Sequence, residues 1–133
     1  MPTPEGCPEP PDGHNYVKIT FDRTPIMSTY LLAMIVGDFE YISNRSSATE
    51  NSCCQLNNGT SSELAEVRIY TPVGKGSLGQ HALTVATRCL KFYSKFFGEP
   101  YPLPKLDLIA LPDFACGAME NWGLITYRLL FLN

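Results

Sequence analysis

A carboxylate and an amide stand side by side in an otherwise apolar segment near the end of the chain. Residues 114–128 read FACGAMENWGLITYR, which places Glu120 and Asn121 beside Trp122, the only tryptophan of the sequence. Two glycines bracket this polar pair. Glycine lets a backbone come close to a ligand and a carboxylate pairs with cations, so the segment is the first candidate for a binding site.

Composition bounds the class of protein. The chain has 133 residues, which suits one domain by size, and 44% of them are hydrophobic, as in a globular protein. The net charge is −3 and the sequence has no run rich in Lys or Arg. Phosphate binding needs clustered basic residues, so no nucleic-acid partner is expected.

Targeting and redox features predict a cytoplasmic protein. Met1 is followed by PTPEGCPEPPDG, which contains neither the basic nor the apolar region of a secretory signal. The longest apolar run, Tyr30 to Val36, is far shorter than the roughly 20 residues that cross a bilayer, so no membrane partner is expected. The five cysteines are odd in number and form no C-x-x-C pair, which favours reduced thiols in a reducing compartment.

Apolar patterning predicts strands and loops in the first half of the chain. Residues 1–15 are rich in Pro and Gly without periodicity, which predicts an irregular start. Residues 28–36 are nearly all apolar, which predicts a strand or short helix buried on both faces. Residues 43–63 are polar and low in complexity, which predicts a surface loop between strands. Further strands are predicted at residues 16–21, 38–42, 65–71, 106–111 and 121–127.

One helix is predicted with defined ends. Apolar residues recur at three- and four-residue steps from Ser77 to Phe97. Ser77 is a plausible N-cap, and Gly98 with Pro100 beyond it is a plausible C-terminal stop. The pattern therefore predicts a helix over residues 77–97.

The character of the sequence changes near Gly74. Before it the patterns are strand and loop, and after it helix and strand alternate. We therefore predict an α+β fold made of two incomplete domains, one over residues 16–74 and one over residues 75–133.

The segment around Glu120 and Asn121 resembles a known motif. Residues 117–121, Gly-Ala-Met-Glu-Asn, followed by Trp122 and Gly123, resemble the exopeptidase motif of the zinc aminopeptidases of the gluzincin type. The resemblance, strongest to the puromycin-sensitive branch, covers residues 16–128 except the loop at 43–63. It implies the last strands of an N-terminal β-domain, joined to the opening helix and strands of a thermolysin-like catalytic domain.

The resemblance also implies roles for the motif. Glu120 would anchor the α-ammonium of a peptide, and a missing ammonium would leave this carboxylate unpaired. The backbone of Gly117, Ala118 and Met119 would lie beside the substrate as an added strand, with Met119 shaping the pocket for the first side chain. Asn121 completes the implied substrate-binding set, and the implied partners are peptide N-termini.

The hydrolytic half of the family's site has no counterpart in this sequence. The family binds zinc through H-E-x-x-H on a helix, but the only histidines here are His14 and His81, and neither belongs to such a motif. We therefore expect no catalytic residue and no metal ligand in this chain, zinc in the full-length family only, and no hydrolysis by the chain alone. The family continues beyond Arg128 with a long catalytic domain, so the chain is expected to be an internal fragment.

Alternatives remain at several positions. A second hypothesis is a non-catalytic short isoform that binds peptide N-termini or a partner chain. Glu120 could instead be a solvated turn residue, although the surrounding motif argues against it. Trp122 is expected to be plain core, and Cys116 a small apolar residue. Lys75 lies among glycines, but their spacing is not that of a phosphate-binding loop.

Overall fold

The computed structural model describes residues 18–44 and 65–131. The predicted irregular start and almost all of the polar loop at 43–63 lie outside these residues. The described part contains five strands and one long helix, which agrees with the predicted α+β class. The elements are β1 (Phe39–Ser43), β2 (Glu66–Pro72), α1 (Gly79–Phe97), β3 (Lys105–Leu111), β4 (Ala118–Met119) and β5 (Leu124–Arg128), with 3₁₀ turns at Thr29–Leu31, Gly76–Leu78 and Leu129–Phe131.

The strands form one mixed sheet in the order β1-β2-β3-β5-β4. The two inner pairs, β2 with β3 and β3 with β5, are parallel, and the outer pairs are antiparallel. Parallel neighbours need a crossover, and α1 supplies it between β2 and β3. The sheet therefore contains strands from both sides of Gly74, and the division into two domains stays a prediction.

The core lies between α1 and one face of the sheet. Val67, Ile69 and Thr71 alternate with half-buried residues along β2, as expected for a strand with one fully covered face. β3 is buried continuously over residues 106–110 because it lies at the centre of the sheet. Leu83 of α1 joins the core cluster, which also contains Leu106, Leu108 and Ala110.

The start of α1 corrects one prediction. The helix begins at Gly79, and Ser77 lies in the preceding 3₁₀ turn, where its side chain makes no capping hydrogen bond. Glu40 of β1 takes part of that role, because its carboxylate accepts a hydrogen bond from the Gly76 N–H at 2.5 Å. The other end is as predicted, since Gly98 has a left-handed φ of 70°.

The apolar segment 28–36 is a second correction. It forms one 3₁₀ turn and no strand, and it is not buried on both faces. Tyr30, Leu32, Met34 and Val36 are exposed, while the residues between them are half-buried. Apolar composition reports how favourable burial would be, but whether a second face is covered depends on what packs there.

Two strand boundaries also differ from prediction. The described part of the predicted strand 16–21, residues 18–21, is exposed and not in a strand. The predicted strand 121–127 begins only at Leu124, because Trp122 and Gly123 form a turn. Within residues 18–44 and 65–131, none of the helices has the length and apolarity needed to cross a membrane.

Candidate functional site

A turn at Trp122 and Gly123 places Glu120 and Asn121 next to the central strand of the sheet. The Leu124 N–H donates to the Asn121 carbonyl at 3.1 Å, and Gly123 has a φ of 85°, which favours glycine. The Gly123 carbonyl accepts from the Asp107 N–H of β3 at 3.0 Å. A Cβ atom on Gly123 would lie 2.9 Å from Leu103 Cδ1, so a larger residue here would be strained by the backbone conformation and would require the Leu103 side chain to shift.

Asn121 is fixed inside the protein. It is only 6% exposed, and its Oδ1 accepts a hydrogen bond from the hydroxyl of Thr126 at 3.1 Å. Thr126 is itself buried on β5. This bond ties the motif to the strand that follows it, which gives Asn121 a positioning role. Its predicted contact with substrate stays a prediction.

The residues before Glu120 form the edge of the sheet. Ala118 pairs with Tyr127 and Met119 with Thr126, antiparallel to β5. In the described part of the chain no strand pairs with the outer edge of β4, so its outward-facing N–H and C=O groups can pair with an added strand. The predicted strand-addition segment therefore lies at an edge where such pairing is geometrically possible.

Arg128 holds the loop that leads into β4. Its Nε donates to the Phe114 carbonyl at 2.7 Å, and its Nη2 donates to the Ala115 carbonyl at 2.8 Å. Its backbone N–H donates to the Gly117 carbonyl at 2.9 Å. Sequence reasoning missed this residue, because nothing in a single sequence shows which carbonyls a distant guanidinium will reach.

Glu120 follows β4 directly and is exposed. Its carboxylate has no hydrogen bond or ion pair with any residue in the described ranges. It lies at the wall of a cavity of about 800 Å³, together with its neighbours Asn121, Trp122 and Gly123. Trp122, predicted to be core, is half-buried at this wall. Its backbone N–H donates to the Leu31 carbonyl at 3.2 Å.

The cavity separates α1 from the β3 and β5 side of the sheet. The helix packs mainly against β1 and β2, which leaves open the space above the other two strands. Met119, which the resemblance assigned to the pocket for the first side chain, is not among the residues that line it. The cavity walls include Ala82, Val85, Ala86, Cys89, Leu90 and Tyr93 from α1, and Leu106, Leu108, Ile125 and Tyr127 from the sheet.

Among the described residues, Glu120 is the only one at the cavity wall with a formal charge at neutral pH. Burial, with a smaller contribution from the negative charge of Asp107, raises the pKa of Tyr101 to about 12. Burial also raises the pKa of Tyr127. These two phenols of the wall are therefore neutral at physiological pH. The arrangement is a mostly apolar cavity with one carboxylate at its edge.

The described residues do not fit a zinc site. Within residues 18–44 and 65–131, no three His, Cys, Asp or Glu side chains lie close enough together to hold a metal ion. His81 is exposed on α1, and His14 lies outside the described residues. The described Cys89 and Cys116 are free and exposed, which for Cys116 differs from a packed apolar residue.

Comparison with known proteins shows which family the sequence matches. Residues 81–133 match the model of the peptidase family M1 domain. The chain is 48% identical over 110 residues to aminopeptidase M1-C of Oryza sativa subsp. japonica, a match that covers 83% of this chain and 11% of that protein. It is 46% identical over 114 residues to puromycin-sensitive aminopeptidase of Caenorhabditis elegans, which covers 86% of this chain and 10% of that protein.

A third relative is named after the endoplasmic reticulum. Endoplasmic reticulum aminopeptidase 2 of Bos taurus is 48% identical over 108 residues, 81% of this chain and 10% of that protein. The chain thus spans about a tenth of the length of the curated relatives it matches. Residues 81–133 belong to the peptidase family M1 domain, and the chain is homologous over most of its length to aminopeptidases of that family.

Proposed function

We propose that this chain is the peptide-binding part of an aminopeptidase and that it recognises the free N-terminus of a peptide. The observation that carries the proposal is the Glu120 carboxylate. It has no partner in the described part of the chain, and it stands beside a free strand edge and an otherwise uncharged cavity.

Charge supplies the selectivity for a free amine. An α-ammonium donates charge-assisted hydrogen bonds to a carboxylate, which are about twice as strong as neutral ones. A peptide that continues beyond this point, or one with an acetylated amine, would cover Glu120 without neutralising it. A charge covered and left unpaired is costly, so such ligands are rejected.

The strand edge supplies the second contact. The backbone of Gly117, Ala118 and Met119 offers its outer edge to a peptide, which pairs with it as an added strand. Arg128 holds the loop before this edge, and the buried Asn121 ties the end of the motif to β5. Backbone pairing does not depend on the side chains of the peptide. Peptides of many sequences can therefore bind at this edge, all with the same strand direction.

Peptide hydrolysis is proposed for the full-length relatives and not for this chain alone. The sequence contains no H-E-x-x-H motif, and the described residues do not fit zinc, so we derive no hydrolytic step here. An arylamide-release assay with leucyl and alanyl substrates and added zinc tests this. We expect no turnover, and zinc-dependent turnover would show a metal site built from other residues.

The binding proposal is tested by titration calorimetry on the whole chain. A tetrapeptide amide with a free amine is compared with its N-acetylated form, on the wild type and on Glu120→Gln. We expect the free amine to bind about tenfold more tightly, and Glu120→Gln to abolish the difference. Glu99→Gln is the matched control, because Glu99 is exposed beyond α1 and does not line the cavity. Equal binding of both peptides to the wild type would overturn the proposal.

A second candidate function is that of a non-catalytic chain that binds a partner protein. Its support is the exposed apolar row Tyr30, Leu32, Met34 and Val36. If this row binds a partner, Met34→Lys reduces association in sedimentation velocity and leaves N-terminus binding unchanged. The cytoplasm stays the proposed compartment because the cysteines are odd in number and form no C-x-x-C pair.

A further inference from the structure

The C-terminal end of α1 is almost entirely exposed. From Lys91 to Phe97 every residue except Ser94 is exposed to solvent. The buried residues of the helix, Gly79 and Leu83, both lie near its start. The helix packs mainly on β1, β2 and the 3₁₀ turn before it. Its last turns are therefore surface in the described part of the chain.

Four aromatic side chains form a cluster on this end of the helix. Each is between 52% and 69% exposed: Phe92, Tyr93, Phe96 and Phe97. The rings of Phe92 and Phe96 are stacked with their centroids 5.8 Å apart, and those of Tyr93 and Phe97 at 5.9 Å. The Phe96 ring also meets the Phe97 ring edge-on at 5.0 Å. Because the rings are contiguous, this aromatic cluster has the character of an interaction surface.

A row of cations runs beside the aromatic cluster. Arg88, Lys91 and Lys95 are exposed and recur at steps of three and four residues, which places them on one face of the helix. Within the described ranges none of the three forms an ion pair. The helix contains no Asp or Glu, and the nearest acid along the chain is Glu99, just beyond its end. This basic row contrasts with the net charge of −3 of the whole chain.

We propose that this end of α1 binds the surface of an anionic lipid bilayer. The aromatic cluster lies at the boundary between headgroups and acyl chains, and the basic row faces the headgroup phosphates. The expectation of no membrane partner rests on the length of the apolar runs, which governs the spanning of a bilayer and not binding to its surface. The inference is independent of peptide binding at Glu120.

Charge complementarity favours a lipid surface over a second copy of the chain. Two copies that met through this face would bring two basic rows together, with no acid on either helix to pair with them. Aromatic rings beside lysine and arginine are, in contrast, the combination found on helices that lie in a membrane interface. Each basic residue near an anionic surface strengthens binding about fivefold, and burial of the rings adds an apolar contribution.

The test is co-sedimentation of the whole chain with lipid vesicles. Vesicles of phosphatidylcholine alone are compared with vesicles in which about a third of the lipid is phosphatidylserine. We expect the chain to bind the anionic vesicles at least about tenfold more tightly than the neutral ones. Because exposed charges are screened by salt, binding to the anionic vesicles is expected to weaken as the salt concentration rises.

Two exposed substitutions locate the contact on α1. Phe96→Ser is expected to weaken binding to anionic vesicles about tenfold, and Lys95→Gln about fivefold. The matched controls are Phe21→Ser and Lys75→Gln, because Phe21 is 84% exposed outside the aromatic cluster and Lys75 is exposed before the opposite end of α1. Both controls should bind like the wild type. Circular dichroism shows that each variant keeps its fold.

Several results would overturn the proposal. One is equal binding to neutral and anionic vesicles, or binding to neither. Another is a loss in Phe21→Ser as large as that in Phe96→Ser. Sedimentation velocity without vesicles tests the second copy: self-association of the wild type that Phe96→Ser abolishes would show that the rings cover each other. If a synthetic helical peptide with a leucine seam and glutamate flanks binds this face and vesicles do not, the occupant is a protein helix and not a lipid surface.

Discussion

Helix α1 covers the two halves of the sheet in different ways. Over β1 and β2 it comes so close that a Cβ atom on Gly79 would lie 3.0 Å from Ile69 Cγ2 and 3.2 Å from Ile42 Cδ1. Over β3 and β5 it stands away from the sheet, and the space between them is the cavity beside Glu120.

This difference separates the residues that hold the fold from those that can bind. The packed half contains residues with almost no solvent exposure, Val67 and Ile69. The open half exposes apolar surface, which is costly unless a ligand covers it, and a carboxylate without a partner in the described chain. Stability and recognition are therefore expected to depend on different residues.

The largest effect is expected on the free energy of unfolding, when one isoleucine from the packed half of the sheet is compared with one from the open half. Ile69→Ala removes a side chain that is 1% exposed, and we expect a loss of about 2–5 kcal/mol in the free energy of unfolding. Ile125→Ala, at the cavity wall, is expected to lose about half as much, because its side chain already borders open space. Urea denaturation followed by circular dichroism measures both.

If Ile69→Ala does not fold, Ile69→Val replaces it, with an expected loss of about 0.5–1.5 kcal/mol. Equal losses of stability at positions 69 and 125 would contradict the comparison. They would mean that α1 covers both halves of the sheet equally in solution.

The next effect concerns two glycines with nearly the same backbone conformation. Gly74 and Gly123 have φ values of 82° and 85°, but only Gly123 has a neighbour in the way among the described residues, Leu103 Cδ1 at 2.9 Å. We expect Gly74→Ala to lower the free energy of unfolding by about 1 kcal/mol through backbone conformation alone. For Gly123→Ala we expect a loss about 1 kcal/mol larger. Thermal unfolding measures the difference, and identical costs would show that Leu103 moves aside without penalty.

A smaller effect is expected at Arg128. Arg128→Lys removes the guanidinium group that donates hydrogen bonds to the Phe114 and Ala115 carbonyls. We expect this to lower the free energy of unfolding by about 1 kcal/mol. Hydrogen exchange at Ala118 and Met119 should become faster, because the loop before β4 is released. Arg88→Lys on the exposed side of α1 is the control and should change neither quantity. Unchanged exchange in Arg128→Lys would remove the positioning role from this residue.

The smallest effect is confined to high pH. The pKa of Tyr101 is raised from 10.0 to about 12 by burial, so the folded state holds its proton more tightly than the unfolded state does. The resulting stability is fully present below pH 10.0 and is lost as the pH rises towards about 12. We expect Tyr101→Phe to lose less stability between about pH 9 and 11.5 than the wild type, measured as about 1–2 °C in melting temperature. If the melting temperatures of the wild type and Tyr101→Phe change with pH in the same way, this prediction is wrong.

The regular elements could be predicted because their signals are local. Alternation marked β2, the mostly apolar residues 106–111 marked β3, and the three- and four-residue spacing marked α1. The predicted helix stop at Gly98 is also confirmed, since a left-handed residue after a helix is a local requirement.

The errors concern contacts between distant parts of the chain. The 3₁₀ turn that precedes α1 is held by Glu40, which lies 36 residues from Gly76. The exposed side of segment 28–36 depends on what covers it, and apolar composition alone does not report that.

The candidate site also combines features that are local in the sequence with contacts between distant parts of the chain. The motif at residues 117–121 could be identified from the sequence, and with it the carboxylate of Glu120. The burial of Asn121, the hydrogen bonds of Arg128 and the cavity under α1 could not, because they depend on how the helix and the strands are placed in space. Whether the five motif residues contact substrate stays a prediction.

The central claim is that Glu120 recognises a free peptide amine, and one ratio tests it most directly. It is the dissociation constant of an N-acetylated peptide amide divided by that of the same peptide with a free amine, measured on the wild-type chain at neutral pH. We predict a ratio of about ten, and about one for Glu120→Gln. A ratio near one for the wild type, with measurable binding of both peptides, would contradict the claim.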